Sequence, residues 1–254
     1  MKEWRLIALD LDGTLLNEHG LIAEENQRSI QQARSVGVEV TIATGRPIHQ
    51  VKPIIELLGL TTPFVTTNGS EVWTVDGQLL DRHTIPSDTI WYLHKLAQEF
   101  KVEFWFSVAN TVLQRGVLPK NVGDYQWLKF GYTILDQEVK KALWSRLENY
   151  GGLEISSSGT YNIEINPQGV SKASGLQVVC NYLGMTAGEV VTMGDGLNDV
   201  LMLSWSGFGI AMGNADEQVK EIANWVTSHH LEHGVAKAIR YLLLNESSLD
   251  KNQI

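Results

Sequence analysis

Short apolar runs alternate with longer amphipathic stretches over the first third of the chain. Residues 5–9 (RLIAL) form one run, residues 24–36 carry a helical spacing, and a second run follows at 38–43 (VEVTIA). A helix-like segment covers 47–58, with Pro47 suited to its first position, and a third run spans Phe64 to Thr66. Strands and helices in this alternation predict a parallel sheet with helices on both faces, its strands apolar on both sides. Near Asn68 the rhythm changes. "SEVWTVDGQLLDRH" alternates on each side of Asp76-Gly77, a dipeptide that favours a tight hairpin turn. From about Pro86 to Pro167 short strands interleave with two helical stripes, Ile90, Leu93, Leu96, Ala97 and Phe100, then Val139, Leu143, Leu147 and Tyr150. This block holds Trp91, Trp105, Trp127 and Trp144, side chains suited to filling a core or interface, with one or two facing a ligand. After "YNIEINPQG" the first rhythm resumes: a helix from Ser171, a strand in "EVVTMGD", a helix after Gly196, a strand in "FGIAM", another helix, and a last one over 234–244. The pattern predicts an α/β protein whose Rossmann-like parallel-sheet core, residues 1–83 and 169–254, is interrupted by an α+β domain at 84–168 that serves as a lid.

Composition narrows the function. A chain of 254 residues with 43% hydrophobic content has material for one large core or two smaller ones. Its formal net charge of -9, with no basic block, argues against nucleic acid or an anionic membrane surface as partner. The lone Cys180 excludes an internal disulfide, and no apolar run is long enough to span a bilayer. With no signal peptide in view, the expected compartment is the cytoplasm. Cys180 shares a helical face with Leu176, Val179 and Leu183, so it reads as a core thiol. His229 and His233 stand four apart, but no helix is assured there and no third ligand flanks them, so they read as structural.

The chemistry lies where strands end, because ligands of open parallel sheets bind beyond the carboxyl ends of the strands. The first strand ends in Asp10-Leu11-Asp12-Gly13-Thr14, the second in Thr44-Gly45-Arg46, and a late one in Gly194-Asp195-Gly196-Leu197-Asn198-Asp199. Asp10, Asp12, Asp195 and Asp199 in one crevice would raise one another's pKa unless a cation intervened, and carboxylate oxygens suit a hard divalent ion such as Mg²⁺. Thr44 offers a hydroxyl and Gly45 an open N–H just before a helix N-terminus, a combination that fits phosphate. Ser171 is a plausible N-cap, which puts Lys172 in the first helical turn, where the dipole disfavours a cation and nearby anions would have to hold it. An aspartate beside a metal and a phosphate cradle could act as nucleophile. The second carboxylate, turned aside by a bend at Gly13, could protonate the leaving alcohol and then deprotonate water. An isolated D-x-D pair is weaker evidence, since most are solvated loop carboxylates and glycosyltransferases hold Mn²⁺ with the same pair.

"DLDGTLL", "TGRP", "NPQGVSKASGL" and "GDGLNDVLML", in that order, resemble the four motifs of the haloacid dehalogenase (HAD) superfamily, in particular Cof-type phosphatases with a IIB cap. "TTNGS" and "GIAMGNA" resemble further landmarks of that group, and the likeness covers the core from about residue 6 to 240. The resemblance implies that Asp10 is nucleophile and Mg²⁺ ligand, Asp12 the acid/base and a ligand through its carbonyl, and Asp195 a further ligand. It implies that Thr44 and Lys172 bind phosphate, with backbone help from Leu11 and Gly45, that Asn198 contacts phosphate, and that Asp199 supports the site from behind. Where relatives often carry an acidic residue before Gly-Val, His233 stands here, a change expected to alter the loop near the cap. The implied activity is Mg²⁺-dependent hydrolysis of a small phosphate ester, such as a sugar phosphate or a phosphorylated cofactor precursor, under a closing cap. A phosphotransferase or sugar phosphomutase, and a non-catalytic sugar-phosphate sensor, are the alternatives; oligomeric state is left open.

Overall fold

Burial decides the first element, since Leu6, Ile7, Ala8 and Leu9 are all buried in strand β1 (Leu6–Leu9). Helix α1 (Glu24–Ser35) has Glu24 and Glu25 in its first turn and Arg34 in its last, each sign matched to the helix dipole. Strand β2 (Glu39–Ile42) pairs parallel to β1. Helix α2 (Ile48–Leu58) begins one residue after Pro47, which takes the N-cap with an extended ψ of 157° instead of the first helical position. Strand β3 (Phe64–Thr66) departs from the expected parallel ladder: a single parallel bridge, Ala43 to Val65, links it to the end of β2. Its own ladder runs antiparallel to β4 (Glu71–Trp73), because a tight turn over Thr67–Gly69 reverses the chain. β4 forms the expected hairpin with β5 (Leu79–Arg82), closed where Gly77 takes a φ of +92°.

The insertion builds its own sheet and core from α3 (Ser87–Phe100), β6 (Glu103–Val108), β7 (Gln114–Arg115), β8 (Trp127–Thr133), α4 (Gln137–Tyr150), β9 (Leu153–Ser156) and β10 (Asn162–Pro167). The strands lie antiparallel in the order β7-β6-β8-β10-β9. Alternation divides their faces. Phe104, Phe106, Phe130, Tyr132, Ile163 and Ile165 pack with Ile90, Leu93, Leu143 and Leu147 of the two helices. Trp105, Lys129, Thr133, Asn162 and Glu164 look the other way, toward the site. Tyr150, placed in the second apolar stripe by its spacing, is instead exposed at the helix end, where it stacks on Tyr92 at 4.0 Å between ring centroids. Of the four tryptophans Trp127 is fully buried, while Trp105 borders the site.

The chain then returns through α5 (Lys172–Leu183), β11 (Val190–Gly194), α6 (Val200–Trp205), β12 (Phe208–Ala211), α7 (Glu217–Ile222), β13 (Trp225–Val226) and α8 (Gly234–Leu244). The two-residue β13 was not foreseen, being too short for a periodic signal. The main sheet runs β13-β12-β11-β1-β2, every pair parallel, so successive strands leave β1 in opposite directions. Cys180 is buried with Leu176 and Val179 against the sheet. The computed structural model describes residues 4–110 and 114–244; residues 1–3, 111–113 and 245–254, which fall in the expected segments 1–83, 84–168 and 169–254, lie outside the described residues. Among the described residues no helix is long and apolar enough to cross a membrane.

Candidate active site

The carboxyl ends of β1, β2 and β11 and the start of α5 converge at the switch beside β1. Asp10 continues the ladder through its N–H to the Met193 carbonyl at 3.0 Å, and the chain then turns, the Leu11 carbonyl accepting from the N–H groups of Thr14, Leu15 and Leu16. Leu11 is itself buried, so only its backbone is in a position to serve the site. Gly13 makes the bend with a φ of +77°, and a Cβ there would stand 2.2 Å from Asp195 Oδ2. The bend separates the two carboxylates of "DLD". Asp10 is 5% exposed, whereas the Asp12 side chain is 59% exposed and receives Arg46 Nε and Nη2 at 2.8 and 2.5 Å.

Ser171 caps α5 in a reciprocal box with Ser174, and this places Lys172 at the first helical position with no exposed surface. Two anions hold the ammonium there: Nζ donates to Asp10 Oδ1 and to Asp199 Oδ1, each at 2.6 Å. Asp199 turns its other oxygen to the N–H groups of Asp195 and Gly196, at 3.0 Å each. Asp195 is fixed by the Thr14 hydroxyl at 2.9 Å and by Asn214 Nδ2 at 3.4 Å, while Asn214 also donates to the Gly13 carbonyl at 2.8 Å. Thr44 is buried and its Oγ1 accepts the Arg46 N–H at 3.2 Å. Asn198 donates its N–H to the Ser157 carbonyl at 3.0 Å and its Nδ2 to Asn68 Oδ1 at 3.3 Å.

Charge is concentrated well beyond what burial tolerates without a counter-ion. Burial pushes the Asp10 carboxyl well above its ordinary range; Lys172 opposes the rise, and Asp199 and Asp195 add to it. Burial, followed by repulsion from Asp199, pushes Asp195 up to about 7. Burial would lower Lys172, but Asp10 and Asp199 outweigh it and keep the ammonium above its ordinary pKa. Its hydrogen bonds to Asp12 likewise raise Arg46. Asp10, Asp195 and Asp199 each offer a carboxylate oxygen, all within 4.8 Å of one another, with neither His nor Cys in the group. That donor set fits a hard divalent cation such as Mg²⁺ and is a poor match to zinc.

A cavity of about 500 Å³ separates this cluster from the inserted sheet. Asp10, Asp12, Thr44, Gly45, Asp195 and Asn198 line one side, and Trp105, Arg115, Lys129, Tyr161 and Asn162 the other. Asp10, Lys172, Asp195 and Asp199 are thus in one cluster, Thr44, Gly45 and Asn198 border the same space, and Asp12 stands off on Arg46. Sequence reasoning gave no role to Arg46, Asn68 or Asn214, although "TGRP", "TTNGS" and "GIAMGNA" contain them. Lys129 and Glu164 lie in no motif, and only their place opposite the apolar faces of β8 and β10 marks them. His233 meets Glu25 of α1, 3.8 Å away, a contact with the core helix and not with the cap. His229 Nδ1 accepts the Leu231 N–H at 3.2 Å.

A profile of haloacid dehalogenase-like hydrolases matches residues 7–117 and 117–239. The chain is 42% identical over 240 residues to the 5-amino-6-(5-phospho-D-ribitylamino)uracil phosphatase YcsE of Bacillus subtilis, covering 94% of this chain and 96% of that protein. An HMP-PP phosphatase of Escherichia coli is 27% identical over 267 residues, 90% of this chain and 95% of its own. Among solved structures, a haloacid dehalogenase-like hydrolase from B. subtilis superposes with a TM-score of 0.85 at 27% identity, covering 95% of this chain and all of that one (100%). The HAD subclass IIB sugar phosphatase BT4131 shares the fold with a TM-score of 0.82 at 22% identity, covering 94% and 99% of the two chains.

Proposed function

The chain belongs to the haloacid dehalogenase-like hydrolases and is a phosphatase of that family, and on this premise we propose that it hydrolyses small phosphate monoesters with Mg²⁺ through an aspartyl-phosphate on Asp10. Asp10 attacks phosphorus, the bond from phosphorus to the ester oxygen breaks, and Asp12 gives that oxygen a proton. Asp12 then takes a proton from the water that attacks the aspartyl-phosphate, which frees inorganic phosphate and restores Asp10. Lys172, the Thr44 hydroxyl, the N–H groups of Leu11 and Gly45, and Asn198 bind the phosphate oxygens and stabilise the charge that moves among them. Asp10, Asp195 and the Asp12 carbonyl would hold the Mg²⁺, whose positive charge would let the neighbouring carboxylates ionise together. Asp199 braces Lys172. Residues 84–168 act as the cap over a core of 1–83 and 169–254, excluding water and selecting the leaving group. The lone, buried Cys180 accords with work in a reducing cytoplasm.

The observation that carries this is the Lys172 ammonium shared by Asp10 and Asp199 beside Asp195, a charge arrangement that suits an incoming phosphate and cation. For substrate, we infer a phosphorylated polyol chain that ends in a planar ring, the chemistry of 5-amino-6-(5-phospho-D-ribitylamino)uracil. The 42% identity to YcsE supports it. So does the cavity wall, where Trp105 lies against Gly131 so closely that a Cβ there would come within 2.3 Å of the indole. Phosphate release from that compound, from ribitol 5-phosphate and from HMP-PP, with Mg²⁺ and with chelator, tests both parts. The ribitylaminouracil ester is expected to give the highest kcat/KM. Full activity in chelator overturns the metal assignment, and a preference for ribitol 5-phosphate overturns the ring.

A further inference from the structure

The cap reaches the phosphate side of the site through one buried cation. Lys129, on β8, is 4% exposed, and its Nζ donates to the Gly45 carbonyl at 2.8 Å and to Glu164 Oε2 at 3.2 Å. The ammonium also lies 5.0 Å from the centroid of the Trp105 ring. Glu164 is held in turn by Asn68 Nδ2 at 2.6 Å and by the Ser158 hydroxyl at 2.9 Å. Burial would push its carboxyl up, but Lys129, Asn68 and Ser158 outweigh that and keep it below its ordinary range. Gly45 has no side chain to obstruct this approach, since a Cβ would stand 2.9 Å from Asn68 Oδ1 and 3.1 Å from Lys129 Nζ.

A buried ion pair is weak support for a fold, because desolvation consumes most of its Coulombic gain and an apolar pair of similar volume often does as well. The position of this pair is more informative than its strength. The Gly45 carbonyl belongs to the same peptide plane as the Arg46 N–H, which donates to Thr44 Oγ1 at 3.2 Å. Once that lone pair is occupied, the Thr44 hydroxyl is oriented to give its own proton elsewhere, and Thr44 lines the cavity. Hydrogen bonds in such a series polarise one another. A second clamp secures the loop from the core: the N–H groups of Thr67 and Asn68 donate to the Arg46 and Thr44 carbonyls at 3.0 Å each. Both residues take left-handed φ values, 54° and 57°, a conformation unusual for a β-branched threonine.

Resting on the assignment of Thr44 and Gly45 to phosphate, we propose that Lys129 is a positioning residue through which the cap orients the Gly45–Arg46 peptide and hence the Thr44 hydroxyl toward the phosphate group. Because the same ammonium touches Trp105, the wall that receives the leaving group and the loop that receives the phosphate share one side chain. A cap displaced from the core loses this orientation, so phosphate is held best only when the cap is seated.

The probe is inorganic phosphate, titrated by calorimetry into the full-length protein in saturating MgCl₂, so that no turnover is needed. Glu164→Gln serves as reference, and Lys129→Met in that background removes the donors without stranding a buried carboxylate. The double variant is expected to bind phosphate about tenfold more weakly than the reference, the scale of a lost charge-assisted contact. In a Thr44→Val background the same Lys129 change is expected to cost no more than about twofold, as coupling through one hydroxyl requires. Unchanged affinity in the double variant, or the full tenfold loss without Thr44, overturns the proposal. Should the double variant fail to fold, the wild-type protein carries the test: phosphate is expected to shift the Lys129 ¹⁵Nζ resonance, and Thr44→Val to reduce that shift by half or more. A resonance that stays put, or one that moves equally without Thr44, overturns it. Absent ester hydrolysis with coupled phosphate binding would sink the phosphatase assignment alone, whereas normal hydrolysis with uncoupled binding would sink the role of Lys129 alone.

Discussion

Asp195→Asn is expected to stabilise the metal-free protein near pH 8 and to confer no gain near pH 4. Burial and the neighbouring Asp199 push Asp195 from its ordinary 3.8 up to about 7. Since the folded state binds this proton more tightly than the unfolded chain, the associated stability is fully present below the unfolded pKa and is lost as pH rises through about 7. A rise of roughly three units corresponds to about 4 kcal/mol at ~1.4 kcal/mol per unit. Asparagine keeps one acceptor for Thr14 and Asn214 in place of two, which returns about 1–2 kcal/mol, so the net gain near pH 8 is about 2–3 kcal/mol. Urea unfolding followed by circular dichroism in chelator, at steps between about pH 4 and 8, reads the difference directly. Saturating MgCl₂ should stabilise the wild type and close the gap, because the cation removes the penalty that the variant avoids. A constant offset at every pH, or a wild type that is the more stable at pH 8 without metal, would refute the reasoning.

Lys172→Met leaves Asp10 and Asp199 buried without their shared ammonium, and a loss of about 3–5 kcal/mol is expected at neutral pH, smaller near pH 5, measured by denaturant unfolding without metal. Asp12→Asn is expected to lower kcat for an alkyl phosphate by about 10²–10⁴-fold. With p-nitrophenyl phosphate, whose leaving group needs no proton, the same variant should release one equivalent of nitrophenol in a burst and then turn over slowly; a uniformly slow first turnover would contradict the assignment. Gly13→Ala puts a Cβ 2.2 Å from Asp195 Oδ2 at a φ of +77°, and calorimetry should find Mg²⁺ affinity reduced at least tenfold in a protein whose circular dichroism is unchanged.

The parallel core was legible because its strands are buried on both faces and so appear as uninterrupted apolar runs, and because Asp10, Thr44, Lys172 and Asp195 follow those runs or open a capped helix. Lys172 was legible for a second reason: a cation at a helix start needs anions nearby, and Asp10 and Asp199 are both 2.6 Å away. β3 was misplaced in the parallel ladder because its three residues have no period long enough to distinguish one sheet from another. Tyr150 followed the helical spacing yet lies at the last turn, where the stripe has run past the core. The pairing of Arg46 with Asp12, and the path from Lys129 to Gly45, join residues 34 and 84 positions apart. No local pattern encodes contacts of that range. The first arises when β1 and β2 pair within the core, and the second only when the insertion folds back over the strand ends.

The covalent step is the most direct point of test. Enzyme mixed with substrate and Mg²⁺, quenched in acid within one turnover, is reduced with borohydride, which converts an acyl phosphate to an alcohol, and its peptides are sequenced by mass spectrometry. Reduction of the Asp10 side chain alone is expected, and it should vanish in chelator and in Asp10→Asn. Reduction at Asp12 or another carboxylate, or none while phosphate is released at the normal rate, would contradict nucleophilic catalysis by Asp10.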